Sequence, residues 1–97
     1  MNASLAHLAN VPHVVYRCMS VNDETVYIGC TSNLDQRMAL HRSDERSRRW
    51  LPVVDRIVTE THPDRRTALD AERAAILAER PLFNSNFNNP RTRRVLA

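Results

Sequence analysis

A carboxylate within an apolar helical pattern is the first feature of this sequence that could perform chemistry. The residues three and four positions from Glu72 share its helical face, and they are Ala68, Leu69, Ala75 and Ile76. A carboxylate on an apolar face is costly unless a cation or a hydrogen-bond network meets it. We therefore expect Glu72 to meet a metal ion, an arginine of another element or a cleft. The alternative is a structural ion pair at the edge of the core.

A guanidinium and an imidazole lie four residues apart on another helical segment. Arg37 and His41 therefore project from one side of that helix, where together they could bind one phosphate. The alternative is that Arg37 extends over the surface while His41 packs at the rim of the helix.

Two tyrosines lie in neighbouring strand-forming segments. His13–Met19 and Thr25–Cys30 are rich in β-branched and aromatic residues, and residues 20–24 between them carry turn chemistry, which predicts a β-hairpin. A turn of two or four residues centred between positions 22 and 23 would place the rings of Tyr16 and Tyr27 diagonally on one face.

This register sets Tyr16 opposite Gly29 and Cys18 opposite Tyr27. A three-residue loop would shift it and weaken the argument for a shared site. Packing alone also explains aromatic residues in strands.

The remaining segments alternate between helix and strand, and they position these side chains. A helix is predicted from Leu34 to the mid-40s, then a strand over Val53–Thr61 that is apolar on both faces, as for a strand covered on each side. A second helix over Arg65–Glu79 ends before Pro81. Met1–Pro12 is predicted to hold a short helix. The order is β-β-α-β-α, an α/β arrangement.

The composition fits one small domain over residues 1–97, since 97 residues with 42% hydrophobic content cannot build two cores. The chain has no apolar run near the roughly 20 residues that span a bilayer. It also lacks a secretory signal at its start, so we expect a cytoplasmic protein that does not enter a membrane.

Cys18 and Cys30 are too few for a disulfide framework or a zinc site and are expected to be small buried strand residues.

The positive charge is carried by arginine alone, and the formal net charge is +3. The arginines form two clusters, one after the first helix begins and one in the Asn/Arg-rich tail over residues 85–97: Arg37, Arg42, Arg46, Arg48 and Arg49, and Arg91, Arg93 and Arg94. Such clusters suit phosphate binding. A solvated basic face balanced by Asp35, Asp44 and Glu45 is the alternative.

Taken in order, these residues resemble the GIY-YIG nuclease family. Val14-Val15-Tyr16 stands at the place of the first family triplet, and ten residues separate Tyr16 from Tyr27-Ile28-Gly29, which is the second triplet unaltered. Arg37 follows Gly29 by eight positions, and His41 follows Arg37 by four, as in many members.

The resemblance extends from about residue 13 to residue 84. Glu72 lies in a segment like the family's helix with the metal-binding glutamate, and Arg80–Asn84 is similar to the end of this module in excision-repair incision subunits. Val14 departs from the family's glycine, and Cys30 stands where some members have a lysine that assists at the site.

The resemblance implies a small three-stranded, mainly antiparallel sheet flanked by helices, and a metal-dependent endonuclease acting on DNA. It implies that Glu72 binds one Mg²⁺ or Mn²⁺ ion and that Arg37 clamps phosphate oxygens. Either Tyr16 or Tyr27 would take the proton from the attacking water, His41 would bond a tyrosine or the phosphate, and Asn84 would hold Glu72 or the backbone.

In this reading Gly29 is structural, and Arg42, Arg46, Arg48 and Arg49 join Arg37 in binding nucleic acid. A separate targeting protein or a homodimer could be the partner. The alternative is a nucleic-acid-binding module that keeps the fold but has lost cleavage.

Overall fold

The computed structural model describes residues 11–84, and their elements follow the predicted order. In chain order these are β1 (His13–Met19), β2 (Thr25–Thr31), α1 (Leu34–Ser43), two short 3-10 segments (Glu45–Arg49 and Leu51–Val53), β3 (Arg56–His62) and α2 (Arg65–Glu79). The predicted N-terminal helix lies outside the described residues except for its last two positions, and the tail over 85–97 lies outside them entirely. Within residues 11–84, neither helix is long and apolar enough to cross a membrane.

The three strands form one antiparallel sheet in the order β2-β1-β3. Tyr16 pairs with Gly29 and Cys18 pairs with Tyr27, so the predicted register is confirmed. The register shifts between Cys18 and Met19, because β2 carries one extra residue, Val26, opposite them. Asp23 adopts a φ of 64° in that turn, a left-handed conformation that aspartate tolerates.

The third strand differs from its prediction in both position and environment. Val53 ends the second 3-10 segment and residue 54 caps it, so the strand begins only at Arg56. β3 is an edge strand that pairs with β1 alone within the described chain, and Ile57 and Val58 are 37% and 44% exposed. The prediction of a strand covered on both faces is therefore wrong, because apolar residues on two faces do not reveal whether anything packs against them.

Both helices begin at side-chain caps. The Asn33 side chain accepts a hydrogen bond from the backbone N–H of Gln36 at 3.0 Å, and Asp64 accepts one from Thr67 at 2.7 Å. α2 ends at Glu79 and is capped by Arg80, whose φ of 48° is left-handed, directly before Pro81. α2 thus matches its predicted range, whereas α1 ends at Ser43, slightly before the predicted mid-40s.

The sheet separates two hydrophobic clusters, because successive residues of β1 point to opposite faces. On the α2 side the buried residues are Val15, Ile28, Ala68, Ala75 and Ile76. On the α1 side they are Tyr16, Cys18, Val26, Met38 and Trp50. Tyr16 therefore starts on the face opposite to the helix that carries Glu72.

Candidate active site

The side chain of Tyr16 lies across Gly29. A Cβ atom built on Gly29 would stand 2.2 Å from both Cζ and Oη of Tyr16, far inside any real contact distance. Gly29 has no positive φ, so its role is to leave space rather than to adopt an unusual backbone conformation. This space lets the Tyr16 ring, which starts from the central strand, lie over Gly29 of the edge strand β2.

The Tyr16 hydroxyl and His41 share a buried hydrogen bond. Oη of Tyr16 lies 2.8 Å from Nε2 of His41, and Nδ1 of the same ring lies 3.0 Å from Oγ of Ser47. All three side chains are buried. Burial lowers the pKa of His41 below its usual value of 6.5, and the Arg37 guanidinium lowers it further, so both favour the neutral imidazole.

Tyr27 completes a cluster of rings around His41. Its ring stacks on Trp50 with 4.5 Å between centroids and 4° between planes, and it meets the edge of His41 at 5.2 Å. The two tyrosine rings are 6.2 Å apart, so the predicted placement on one face is confirmed.

Two members of this arrangement, Ser47 and Trp50, were not among the sequence-predicted site residues. They lie three positions apart across the end of the first 3-10 segment, and residues with that spacing share one side of a 3-10 turn. Their signal was weak, because the predicted first helix ran past residue 43 and hid the short segment that turns them inward.

Arg37 on α1 and Glu72 on α2 both shift the pKa values of the two tyrosines. Burial raises the pKa of Glu72 above its usual value of 4.5, and Arg37 opposes this shift. Burial likewise raises the pKa of both Tyr16 and Tyr27, which Arg37 lowers and Glu72 raises. The guanidinium, the carboxylate and both phenols are thus within electrostatic reach of one another. Glu72 is half-buried and Arg37 is exposed.

Asn84 holds the outer edge of β2. Its side-chain oxygen accepts the Ile28 N–H at 2.7 Å, and its amide nitrogen donates to the Ile28 carbonyl at 2.6 Å. The sequence predicts that Asn84 holds either Glu72 or the backbone, and these two hydrogen bonds are to the backbone. Ile28 lies between Tyr27 and Gly29, so Asn84 positions the strand that carries them.

The other arginines of the first cluster are exposed. Arg42 lies on α1, and Arg46, Arg48 and Arg49 follow in the first 3-10 segment. Arg46 forms an open ion pair with Asp44 at 3.6 Å. The segment that turns Ser47 inward therefore turns basic side chains outward.

Glu72 fits a hard divalent cation. Within residues 11–84 there is no group of three or more His, Cys, Asp and Glu side chains that could hold a metal ion. Mg²⁺ needs no such group, because it keeps several waters and borrows phosphate oxygens beside one or two carboxylates. The half-buried Glu72 carboxylate, whose charged form is disfavoured by burial, would be stabilised by such an ion.

Comparison with solved structures finds the same fold in a bacterial nuclease domain. The GIY-YIG N-terminal endonuclease domain of UvrC from Thermotoga maritima, bound to magnesium, matches with a TM-score of 0.67 and 22% identity, over 87% of this chain and 94% of that chain. Two point mutants of that domain, each bound to its catalytic divalent cation, match at 21% and 20% identity, both with a TM-score of 0.67. They cover 87% of this chain and 93% and 94% of theirs. At this identity the likeness shows a shared fold.

Comparison at the sequence level finds one domain family. No curated protein matches the chain. The model of the GIY-YIG catalytic domain matches residues 12–88, which include every residue of the site described above. Since this match spans well over half of the sequence, the chain belongs to the GIY-YIG family of catalytic domains.

Proposed function

We propose that the protein is a metal-dependent endonuclease that hydrolyses phosphodiester bonds in DNA. The observation that carries this proposal is the convergence of Glu72 and Arg37 on two phenols. A carboxylate, a guanidinium and two phenols within mutual electrostatic reach supply a cation site, a phosphate clamp and a candidate base. These are the groups that phosphodiester hydrolysis needs.

Glu72 would hold one Mg²⁺ or Mn²⁺ ion, which when bound withdraws charge from the phosphate and the leaving oxygen. Arg37 is exposed and has a planar fork of donors, so it is suited to bind two non-bridging oxygens at once. Its effect on the pKa of both tyrosines also favours their phenolate forms.

Tyr16 is the better candidate for the base. Its hydroxyl has a buried imidazole partner at 2.8 Å, whereas Tyr27 has no hydrogen bond from its hydroxyl to any residue within 11–84. Tyr27 instead stacks on Trp50 and forms one wall of the cluster. Burial raises the pKa of Tyr16 well above 10.0, so its phenolate needs strong local stabilisation, for which the His41 contact is placed.

Tyr16 first gives its own proton to solvent, and its phenolate then takes a proton from the attacking water. The oxygen of that water forms a new bond to phosphorus, and the bond from phosphorus to the leaving oxygen breaks. The leaving oxygen takes a proton from solvent, which gives two nucleic-acid ends.

The exposed arginines support nucleic acid as the substrate. Arg42, Arg46, Arg48 and Arg49 lie on the elements that carry Arg37 and Ser47, next to the ring cluster. Side chains of this type neutralise backbone phosphates without regard to sequence.

The test is nicking of supercoiled plasmid in Mg²⁺ or Mn²⁺ by wild type, Glu72→Ala and Asp70→Ala. Asp70 is a matched control, because it lies on the same helix but is exposed and pairs with Arg66 across one helical turn at 3.7 Å. We expect Glu72→Ala to remove metal-dependent nicking and Asp70→Ala to keep it.

Wild-type nicking by Glu72→Ala would overturn the mechanism. A wild-type protein that shifts labelled DNA in a salt-dependent manner, without cutting it in either metal, would instead support the binding module that has lost cleavage. Metal dependence also has a readout without cutting, since Mg²⁺ should raise the melting temperature of wild type but not of Glu72→Ala.

A further inference from the structure

An arginine at the start of α2 shares a helical face with Glu72 and has no role in the mechanism above. Arg65 precedes Glu72 by seven positions, which is close to two full turns of an α-helix. Ala68 lies between them, three positions after Arg65 and four before Glu72, and it is fully buried. The helix face that carries both charged side chains is therefore the face packed on the sheet.

Cys30 of the edge strand β2 lies against this face of α2. It packs on the hydrophobic cluster that contains Ala68, and it is only partly buried. Burial and Glu72 raise the pKa of the Cys30 thiol, whereas Arg65 and Arg37 lower it. Two guanidiniums and a carboxylate, from helices on opposite faces of the sheet, therefore reach one point of the edge strand.

The Arg65 guanidinium is exposed and makes no ion pair with any residue within 11–84. Its neighbours differ in this respect. Arg66 pairs with Asp70 at 3.7 Å, and the Asp64 carboxylate accepts the Thr67 N–H at 2.7 Å as the helix cap. Arg65 is thus the cation at this end of α2 that is available to an anion from outside the protein.

The spacing along α2 separates the position of Arg65 from that of the metal site. Seven residues advance about 10 Å along a helix axis. Side chains also lean toward the helix N-terminus, so the long side chain of Arg65 carries its guanidinium further from the Glu72 carboxylate. A phosphate held by Arg65 is therefore a neighbour of the phosphate held at Glu72.

We propose that Arg65 is a substrate-binding residue that holds a phosphate next to the one that is cut, so that the nucleic-acid strand crosses the edge of β2 at Cys30. This inference rests on the proposed function for the identity of the ligand as nucleic acid. Arg37 then contacts the phosphate that is cut, and Arg65 contacts the flanking one. Because the flanking contact is equal before and during the reaction, it lowers KM and leaves kcat unchanged.

The test is the affinity of wild type and Arg65→Gln for labelled duplex DNA at several salt concentrations, without divalent metal. We expect Arg65→Gln to bind about tenfold more weakly and to reduce the salt slope by about one unit, as for the loss of one phosphate contact. Arg65→Lys, which keeps the charge, should keep the slope. Arg66→Gln is the matched control and should keep both affinity and slope, because Arg66 already pairs with Asp70.

The place of the contact is tested through the Cys30 thiol. A small alkylating reagent should modify the partly buried Cys30 in the free protein, and saturating duplex should suppress this modification because the strand passes over it. The buried Cys18 is the internal reference, and mass spectrometry distinguishes the two cysteines.

Unchanged binding by Arg65→Gln, or equal losses in Arg65→Gln and Arg66→Gln, would overturn the proposal. Duplex that leaves Cys30 as reactive as before would also overturn it, as would a wild type that binds no duplex at low salt. In plasmid nicking, Arg65→Gln should raise KM about tenfold with kcat unchanged, and a fall in kcat alone would refute the binding role. If wild type binds duplex through Arg65 without cutting it, the proposed function fails while the phosphate contact stands.

Discussion

Gly29 decides where Tyr16 can lie. The phenol ring occupies the place that any side chain at position 29 would fill, 2.2 Å from the site of a Cβ atom. Glycine is the only residue type that leaves this space, and Gly29 is the chain's single glycine. The glycine of the Tyr27-Ile28-Gly29 triplet therefore has a steric role in this molecule, which is to let a tyrosine of the central strand reach the sheet edge.

Gly29→Ala should destabilise the protein by about 2–3 kcal/mol, at the upper end of the range for overpacked cores. Denaturant unfolding of Gly29→Ala, Tyr16→Ala and the double variant would measure the coupling. Because Tyr16→Ala removes the clash, Gly29→Ala should cost far less in that background. Equal costs in both backgrounds would show that the ring is not what excludes a side chain at position 29.

Among single residues, the sequence indicated Glu72 because its helical neighbours are all apolar. It indicated the two tyrosines because strand alternation places them on one face. It gave no signal for Ser47. A serine between arginines has the same appearance whether its side chain faces solvent or an imidazole, and only the backbone turn after α1 distinguishes the two.

Among the elements, β2 depends on a residue outside the sheet. It is an edge strand, and the backbone groups of Ile28 on its open side are bonded by Asn84, which thereby replaces a neighbouring strand. The Phe83 N–H adds a bond to the Val26 carbonyl at 3.1 Å. The segment after α2 therefore closes the edge that carries Tyr27 and Gly29.

Asn84→Ala should lower the free energy of unfolding by about 2 kcal/mol, because two buried backbone groups lose their partner. Amide hydrogen exchange at Ile28 should accelerate more than exchange at Val15, which lies in the central strand and serves as the internal reference. A uniform acceleration at both amides would mean that Asn84 stabilises the whole fold and does not clamp this strand in particular.

The hairpin and the helices were predictable because turn residues, caps and Pro81 mark their ends locally. The start and burial of β3 were not. Val53 and Val54 fit a strand equally well by residue type, yet Val53 ends the second 3-10 segment and Val54 caps it. Whether a strand lies at the edge or in the centre of a sheet depends on the strand order, which is set by contacts between distant parts of the chain.

For the molecule as a whole, the basic segment after α1 has two faces. One face supports the site through Ser47 and Trp50, and the other exposes Arg46, Arg48 and Arg49. Nucleic acid bound along these arginines would lie beside Arg37, so binding and positioning would share one short segment.

Arg48→Gln and Arg49→Gln should each reduce the dependence of DNA affinity on salt by about one unit of slope, as for the loss of one phosphate contact. Binding is measured by titrating labelled duplex at several salt concentrations, without divalent metal. Arg66→Gln is the control, because Arg66 is an exposed arginine of α2 that pairs with Asp70. Unchanged slopes in both cluster variants would place the phosphate contacts elsewhere.

The stacking of Trp50 on Tyr27 gives the protein an optical property. The chain contains one tryptophan, and its indole lies parallel to Tyr27 and edge-on to His41 at 4.9 Å. Fluorescence excited through that indole therefore originates inside the ring cluster, with no second emitter to dilute it. A change in the His41 charge or loss of the fold alters the surroundings of this fluorophore, so the unlabelled protein reports on the state of this ring cluster.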